Sequence, residues 1–262
     1  MSTPSNSPGY GTFGWYELMT SDTAAAKDFY CNLTGWTTQE MPSQDGMHYT
    51  VFNVNGAGVA GMLTLPKEAG STPAWIGYIV VDDVDARAKE VVSEGGKIHK
   101  EPTDVPGMLR FSVVIDPQGA PFIIFAPLPG MTGSPQRPAM GDIGTVSWHE
   151  LMAADLETDF AFYSKVFGWT RGDVHDMGQM GPYQMFNADG KTIGGMMSKP
   201  PQAPGVFWNY YIQVESAQAA VDKIKATGGQ VFHGPAEVPG GSWIVQGMDP
   251  QGGMFSLVSS SK

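Results

Sequence analysis

The sequence predicts an α+β protein built from two tandem copies of one domain, each copy assembled from paired β-α-β-β-β modules. Three observations carry this. Trp15-Tyr16-Glu17-Leu18-Met19 is answered by Trp148-His149-Glu150-Leu151-Met152, a spacing of 148 − 15 = 133 residues. The register persists along the chain: Asp22 meets Asp155, Phe29-Tyr30 meets Phe162-Tyr163, Gly35-Trp36 meets Gly168-Trp169, Trp75 meets Trp208 and Gly95-Gly96 meets Gly228-Gly229. Asp116-Pro117-Gln118-Gly119 is repeated as Asp249-Pro250-Gln251-Gly252, while Tyr49, Phe52 and Gly61-Met62 match Tyr183, Phe186 and Gly195-Met196 one residue further on. Lastly, within each copy the apolar period changes from strand-like to helix-like and back in the same order.

Gly14 to Thr20 alternates between two faces and is bounded by turn formers, which reads as a strand. Ser21 or Asp22 can cap a following helix, in which Ala25, Phe29 and Leu33 recur at i, i+4, i+8 before Gly35 ends it. Tyr49 to Val54 and Gly58 to Leu63 form a hairpin through Asn55-Gly56, a pair that tolerates positive φ. Trp75 to Val81 is a strand and Val84 to Ser93 a helix ended by Gly95-Gly96. Phe111 to Ile115 and Pro121 to Phe125 are strands around the Asp-Pro-Gln-Gly turn. Residues 10–127 and 141–259 are the expected domains. Residues 1–9 are a polar tail, and 128–140, rich in Pro and Gly, an extended linker.

Composition narrows the function classes. At 42% hydrophobic and 16% charged residues the chain has the side chains for packed cores and is not of the disordered type. Its longest apolar runs, such as Trp75 to Val81 and Ala120 to Leu128, are too short to cross a bilayer. A net charge of −11 with no basic patch argues against nucleic acid and anionic membranes as partners. The polar start lacks a secretory signal and the single cysteine, Cys31, has no internal disulfide partner, so a reducing, cytoplasmic location is expected.

Asp-(x)6-Phe-Tyr near the start, Gly-Trp after the helix and Asp-Pro-Gln-Gly before the last strand together resemble the vicinal oxygen chelate superfamily of glyoxalases, bleomycin-resistance proteins and dioxygenases. The resemblance covers nearly the whole chain and is close to tandem two-domain glyoxalase-like members. It implies paired modules curling into an open, barrel-like mixed sheet around a cleft that binds a small organic molecule and commonly a divalent metal. The family's ligand positions fall here on Trp15, Ile76 and Ile123 in the first copy and on Trp148, Asn209 and Ser256 in the second. None is His or Glu, so the expectation is no cofactor, with a divalent metal as the alternative.

Glu17 and Glu150 are the candidate catalytic residues. Period two sets each on one strand face with Trp15 and Met19, or with Trp148 and Met152. In the family that face lines the cleft, where partial desolvation would raise a carboxyl pKa toward the general acid–base range. The alternative is a structural tie, each Glu accepting hydrogen bonds from backbone or Tyr groups. Tyr49, Trp75 and Tyr78, and their partners Tyr183, Trp208 and Tyr211, could wall a flat ligand or fill the core, as could Met62 and Met196. The five histidines, His48, His99, His149, His175 and His233, form no duplicated constellation and show no zinc spacing.

Three functions follow from these residues. The first is a small-molecule binder with aromatic-lined clefts, working by sequestration or metal-independent acid–base chemistry. The second is a metal-dependent lyase or dioxygenase using Glu17 or Glu150 with a His such as His149 or His48. The third is a scaffold whose clefts have closed.

Overall fold

A computed structural model describes residues 9–44, 47–65, 72–129, 138–201, 203 and 205–262. The expected tail 1–9 and linker 128–140 lie largely outside them. Each copy carries one eight-stranded mixed sheet. The first runs through β1 (Phe13–Thr20), α1 (Thr23–Thr34), β2 (Thr37–Gln44), β3 (Met47–Val54), β4 (Ala57–Thr64), β5 (Ala74–Val80), α2 (Val84–Ser93), β6 (Lys97–Val105), β7 (Leu109–Ile115) and β8 (Pro121–Pro127), in the sheet order β2-β3-β4-β1-β5-β8-β7-β6. The second runs through β9 (Val146–Ala153), α3 (Leu156–Phe167), β10 (Thr170–Asp176), β11 (Pro182–Ala188), β12 (Lys191–Ser198), β13 (Phe207–Gln213), α4 (Ala217–Ala226), β14 (Gln230–Glu237), β15 (Trp243–Met248) and β16 (Met254–Ser259). Its order, β10-β11-β12-β9-β13-β16-β15-β14, repeats the first.

The strands β2 and β6 are required by the β-α-β-β-β order but had no residues assigned to them from the sequence. Both stand at sheet edges, where one face and one rim meet water, so their sequences are polar and each holds a proline, Pro42 or Pro102. Apolar alternation, the sign by which the other strands are read, is therefore weak in them.

Local signals set the helix starts, the ends of α1 and α3 and the β3–β4 turn. Asp22, Asp83 and Asp155 cap α1, α2 and α3 through side-chain bonds to the amides of Ala25, Ala86 and Thr158, and Ser216 caps α4 through Ala219. Gly35 and Gly168 close α1 and α3 in the left-handed region at φ 77° and 72°. Asn55 and Gly56, both at positive φ, make the two-residue turn between β3 and β4.

The chain gathers into two compact units that interleave the copies. One comprises Met1–Gly14, Ile76–Gly133 and His149–Trp208; the other comprises Trp15–Trp75, Ser134–Trp148 and Asn209–Lys262. Each is a first half of one copy with a second half of the other. In the first unit Phe122 of β8 meets Phe162, Tyr163 and Phe167 of α3, and Tyr163 stacks on Trp169 at 4.9 Å. In the second, Phe29 and Tyr30 of α1 meet Phe255 of β16, and Trp36 and Phe52 close round Tyr30. These contacts give every strand involved a helix-covered face. By alternation Ile123 and Phe125, or Ser256, occupy the opposite one.

Candidate functional site

Glu17 lies in the middle of β1, only 6% exposed, directly opposite Gly61 of β4 in the parallel ladder. Tyr49 of β3 lays its ring over that glycine. A Cβ added at Gly61 would come within 1.8 Å of the Tyr49 Oη, so only glycine admits the ring here. The Trp15 Nε1–H donates to the Tyr49 Oη at 2.9 Å, and the Tyr49 hydroxyl is hydrogen-bonded to the Glu17 carboxyl. Burial, reinforced by the Glu17 charge, holds the Tyr49 pKa well above the ordinary tyrosine value, so the phenol keeps its proton and donates. Trp15, Glu17 and Tyr49 thus form one hydrogen-bonded set on the helix-free face.

The other unit repeats the framework. Glu150 of β9 is 7% exposed and stands opposite Gly195 of β12. Tyr183 of β11 covers that glycine, whose added Cβ would lie 2.1 Å from the Tyr183 Cε1. Met19 and Trp148 are partly exposed and Met152 is buried, each two residues from its glutamate and so on its face. Tyr78 is also buried on the helix-free face, opposite Ile123 and beside Phe125 at 5.8 Å.

Of the residues open to a wall or a core role, Met62, Met196, Trp75 and Trp208 sit on the core side. Met62 pairs with Leu18 and Met196 with Leu151, all fully buried, so both methionines are on the core side of their strands. Trp75 and Trp208 turn toward the helices as well: the Trp75 Nε1–H donates to Tyr30 of α1 at 2.9 Å, and that of Trp208 to Tyr163 of α3 at 3.0 Å. One residue's difference in register reverses a strand side chain, and spacing to a motif does not reveal which face the motif's helix covers.

The histidines do not complement the glutamates. His149 is buried against Phe13, rings stacked at 4.2 Å, with Nδ1 bonded to the Ile193 carbonyl at 2.6 Å. Burial lowers its pKa to about 4, so it is neutral, and it projects to the side of β9 opposite Glu150. His48 is exposed. Among the described residues no three or more His, Cys, Asp or Glu side chains group as a metal would need. Trp15, Ile76 and Ile123 offer no suitable donor, and Asn209 and Ser256 offer only a neutral amide and hydroxyl. The residues present do not fit the divalent metal of the family's cleft.

A buried acid that sequence reasoning passed over is Asp159, inside α3. It is fully buried and, among the described residues, neither carboxyl oxygen has a hydrogen-bond partner. Burial, then the charges of Asp116 and Asp155, raise its pKa to about 8. Its counterpart in the repeat is Ala26, and that mismatch was the available signal. Arg110, unmatched between the copies, bridges Asp85 and Asp104 at 2.7 and 2.8 Å.

The strand order of each sheet, a β-α-β-β-β module taken twice, is the architecture expected of the glyoxalase superfamily. The family model described as the Glyoxalase/Bleomycin resistance protein/Dioxygenase superfamily matches residues 12–124 and again 145–257, and the chain belongs to that family. It is 34% identical over 253 residues to the Mycobacterium tuberculosis protein named "Putative glyoxylase CFP32", covering 95% of this chain and 94% of that one. It is 29% identical over 265 residues to the anthracycline biosynthesis protein DnrV of Streptomyces peucetius, covering 95% and 93%. Among solved structures, the Mn(II)-bound glyoxalase from Novosphingobium aromaticivorans superposes with a TM-score of 0.66 at 17% identity, over 96% of this chain and 82% of that one, a likeness of fold. No described helix is long and apolar enough to cross a membrane.

Proposed function

We propose that each copy binds a small oxygenated organic molecule on the helix-free face of its sheet, without a resident metal, and that Glu17 and Glu150 handle it by hydrogen bonding or proton transfer. The observation that carries this reading is the pairing of a buried glutamate with a tyrosine laid over a glycine, built twice from the same registers. A carboxylate held in a dry, aromatic setting is a strong acceptor for a ligand hydroxyl and a competent base toward an acidic C–H or O–H. Tyr49 stays protonated and can hand its hydrogen bond from Glu17 to a ligand oxygen, while Trp15 fixes the phenol. Two relatives bearing an anthracycline-biosynthesis name support an oxygenated, extended aromatic ligand. The single cysteine has no partner within the chain for a disulfide, which suits a reducing, cytoplasmic setting.

Glu17→Gln and Glu150→Gln, singly and together, test this with 1,8-dihydroxyanthraquinone as the probe. Each isostere should weaken binding while the fold stays intact, and the double variant should weaken it most. Unchanged affinity in folded protein, with lost stability alone, would make the glutamates structural ties.

A further inference from the structure

Where the two copies share a backbone, they differ in what they present on the helix-free face. In the second copy Tyr211 of β13 is the register partner of Ser256 of β16, which in turn pairs with Gln246 of β15. Register partners project to the same side, and the Gln246 Nε2–H donation to the Tyr211 Oη at 2.8 Å shows that they meet there. Asn209, two residues before Tyr211, shares the side by alternation. Phe255, next to Ser256, faces α1, which places the row away from the helices. Ser256 is 1% and Tyr211 2% exposed, and Asn209 is buried.

The first copy repeats the registers with different chemistry. Tyr78 pairs with Ile123 and Ile123 with Val113, and Ile76 precedes Tyr78 by two. An apolar row therefore satisfies the same backbone pairing. Two carboxamides and a hydroxyl replace Ile and Val on this face, and the Gln246–Tyr211 hydrogen bond offsets part of their desolvation, so the exchange changes the chemistry the face presents rather than its packing.

We propose that Asn209, Tyr211, Gln246 and Ser256 form a recognition subsite, confined to the second copy, for a neutral hydrogen-bonding group of a small organic ligand: a carbonyl, amide or hydroxyl. The four side chains are uncharged and hold donors and acceptors side by side, a combination that matches a neutral polar group better than an anion or a cation. The two copies accordingly take ligands, or ligand portions, of different polarity, with the apolar Ile76, Val113 and Ile123 row accepting hydrocarbon. This inference rests on the small-molecule reading above.

The test is titration of the isotope-labelled full chain, followed by NMR, with two probes of similar shape: benzamide, neutral and hydrogen-bonding, and ethylbenzene. Benzamide should perturb the amide signals of β13, β15 and β16 in preference to those of β5, β7 and β8, and ethylbenzene should show the reverse. Ser256→Ala and Gln246→Leu, each checked for an unchanged fold, should weaken benzamide binding roughly 3- to 10-fold, the worth of one hydrogen bond, and leave ethylbenzene unaffected. If both probes bind but neither distinguishes the copies, the subsite is overturned and the small-molecule reading stands. If neither probe perturbs either set of strands, both fail. The wild-type comparison between strands decides even if a variant does not fold.

Discussion

The Tyr163 hydroxyl donates to the Asp116 Oδ2 at 3.0 Å, joining the Phe-Tyr motif of the second copy to the Asp-Pro-Gln-Gly turn of the first. Tyr30 donates to Asp249 at 2.9 Å in the corresponding arrangement. In both, a tryptophan N–H donates to the tyrosine oxygen, from Trp208 or Trp75. The first Asp oxygen is already occupied by backbone amides of its own turn: Gln118, Gly119 and Ala120 on Asp116, and Gln251 and Gly253 on Asp249. Two of the family motifs, Phe-Tyr and Asp-Pro-Gln-Gly, are thus joined in one hydrogen-bonded chain that runs from Trp75 or Trp208 to Tyr to Asp to turn, and each compact unit holds one.

Tyr163→Phe leaves the Asp116 oxygen and the Trp208 N–H without their buried partner. A cost of about 1–3 kcal/mol is expected, and a similar cost for Tyr30→Phe through Asp249 and Trp75. Urea denaturation measures both. A loss below about 0.5 kcal/mol in either would mean that the chain does not hold its unit together.

The Asp159 carboxyl gives stability a pH dependence of known sign. Its folded pKa of about 8 lies above the ordinary value of 3.8, so between these limits the folded protein retains a proton that the unfolded chain releases. This group's contribution is best below about pH 4, worsens as pH rises toward about 8, and levels off above that. Asp159→Ala, which installs the residue of the other copy, should flatten the profile and stabilise the protein by roughly 1–3 kcal/mol at pH 8. A variant equally destabilised at pH 5 and pH 8 would show that Asp159 is not a buried, uncompensated acid.

The repeat made the fold legible. Trp15 with Trp148, Gly35 with Gly168 and the two Asp-Pro-Gln-Gly turns hold register across the chain, and a duplicated order of elements belongs to few architectures. The edge strands β2 and β6 were illegible because a half-solvated strand needs little apolar alternation. Among the candidate site residues, Trp15 and Glu17 share a face that the periodicity of β1 alone fixes, whereas Tyr49, on β3, is brought to them by the sheet register. The face that Trp75, Trp208, Met62 and Met196 take depends on which helix covers the sheet, a long-range fact. That the compact units interleave the copies, so that Tyr30 answers to Asp249, has no signature in local spacing.

Metal removal separates the proposed function from the family's metal chemistry. Because Trp15, Ile76, Ile123, Trp148, Asn209 and Ser256 stand at the ligand positions, protein dialysed against a chelator should keep its melting temperature and its affinity for 1,8-dihydroxyanthraquinone. Elemental analysis of purified protein finding one tightly held zinc, iron, nickel or manganese per copy, lost together with binding on chelation, would reassign the site.

The close approach of Tyr49 to Gly61 can be isolated by a double-mutant cycle. A β-carbon at residue 61 would meet the Tyr49 Oη at 1.8 Å and its Cζ at 2.4 Å, so Gly61→Ala must push the ring off the strand. Moving that ring breaks its bonds to Trp15 and Glu17, and the overpacking should cost about 1–3 kcal/mol. In a Tyr49→Ala background the obstacle is gone, and alanine, with less backbone entropy to lose than glycine, should then be neutral or stabilising by about 0.5–1 kcal/mol. Gly195→Ala with Tyr183→Ala should behave alike in the other unit, where the added carbon meets the ring at 2.1 Å. Thermal or urea unfolding of the four proteins in each cycle gives the coupling. If Gly61→Ala costs the same with and without the Tyr49 ring, the tyrosine does not lie on the glycine and the Trp15–Tyr49–Glu17 set loses its geometric basis.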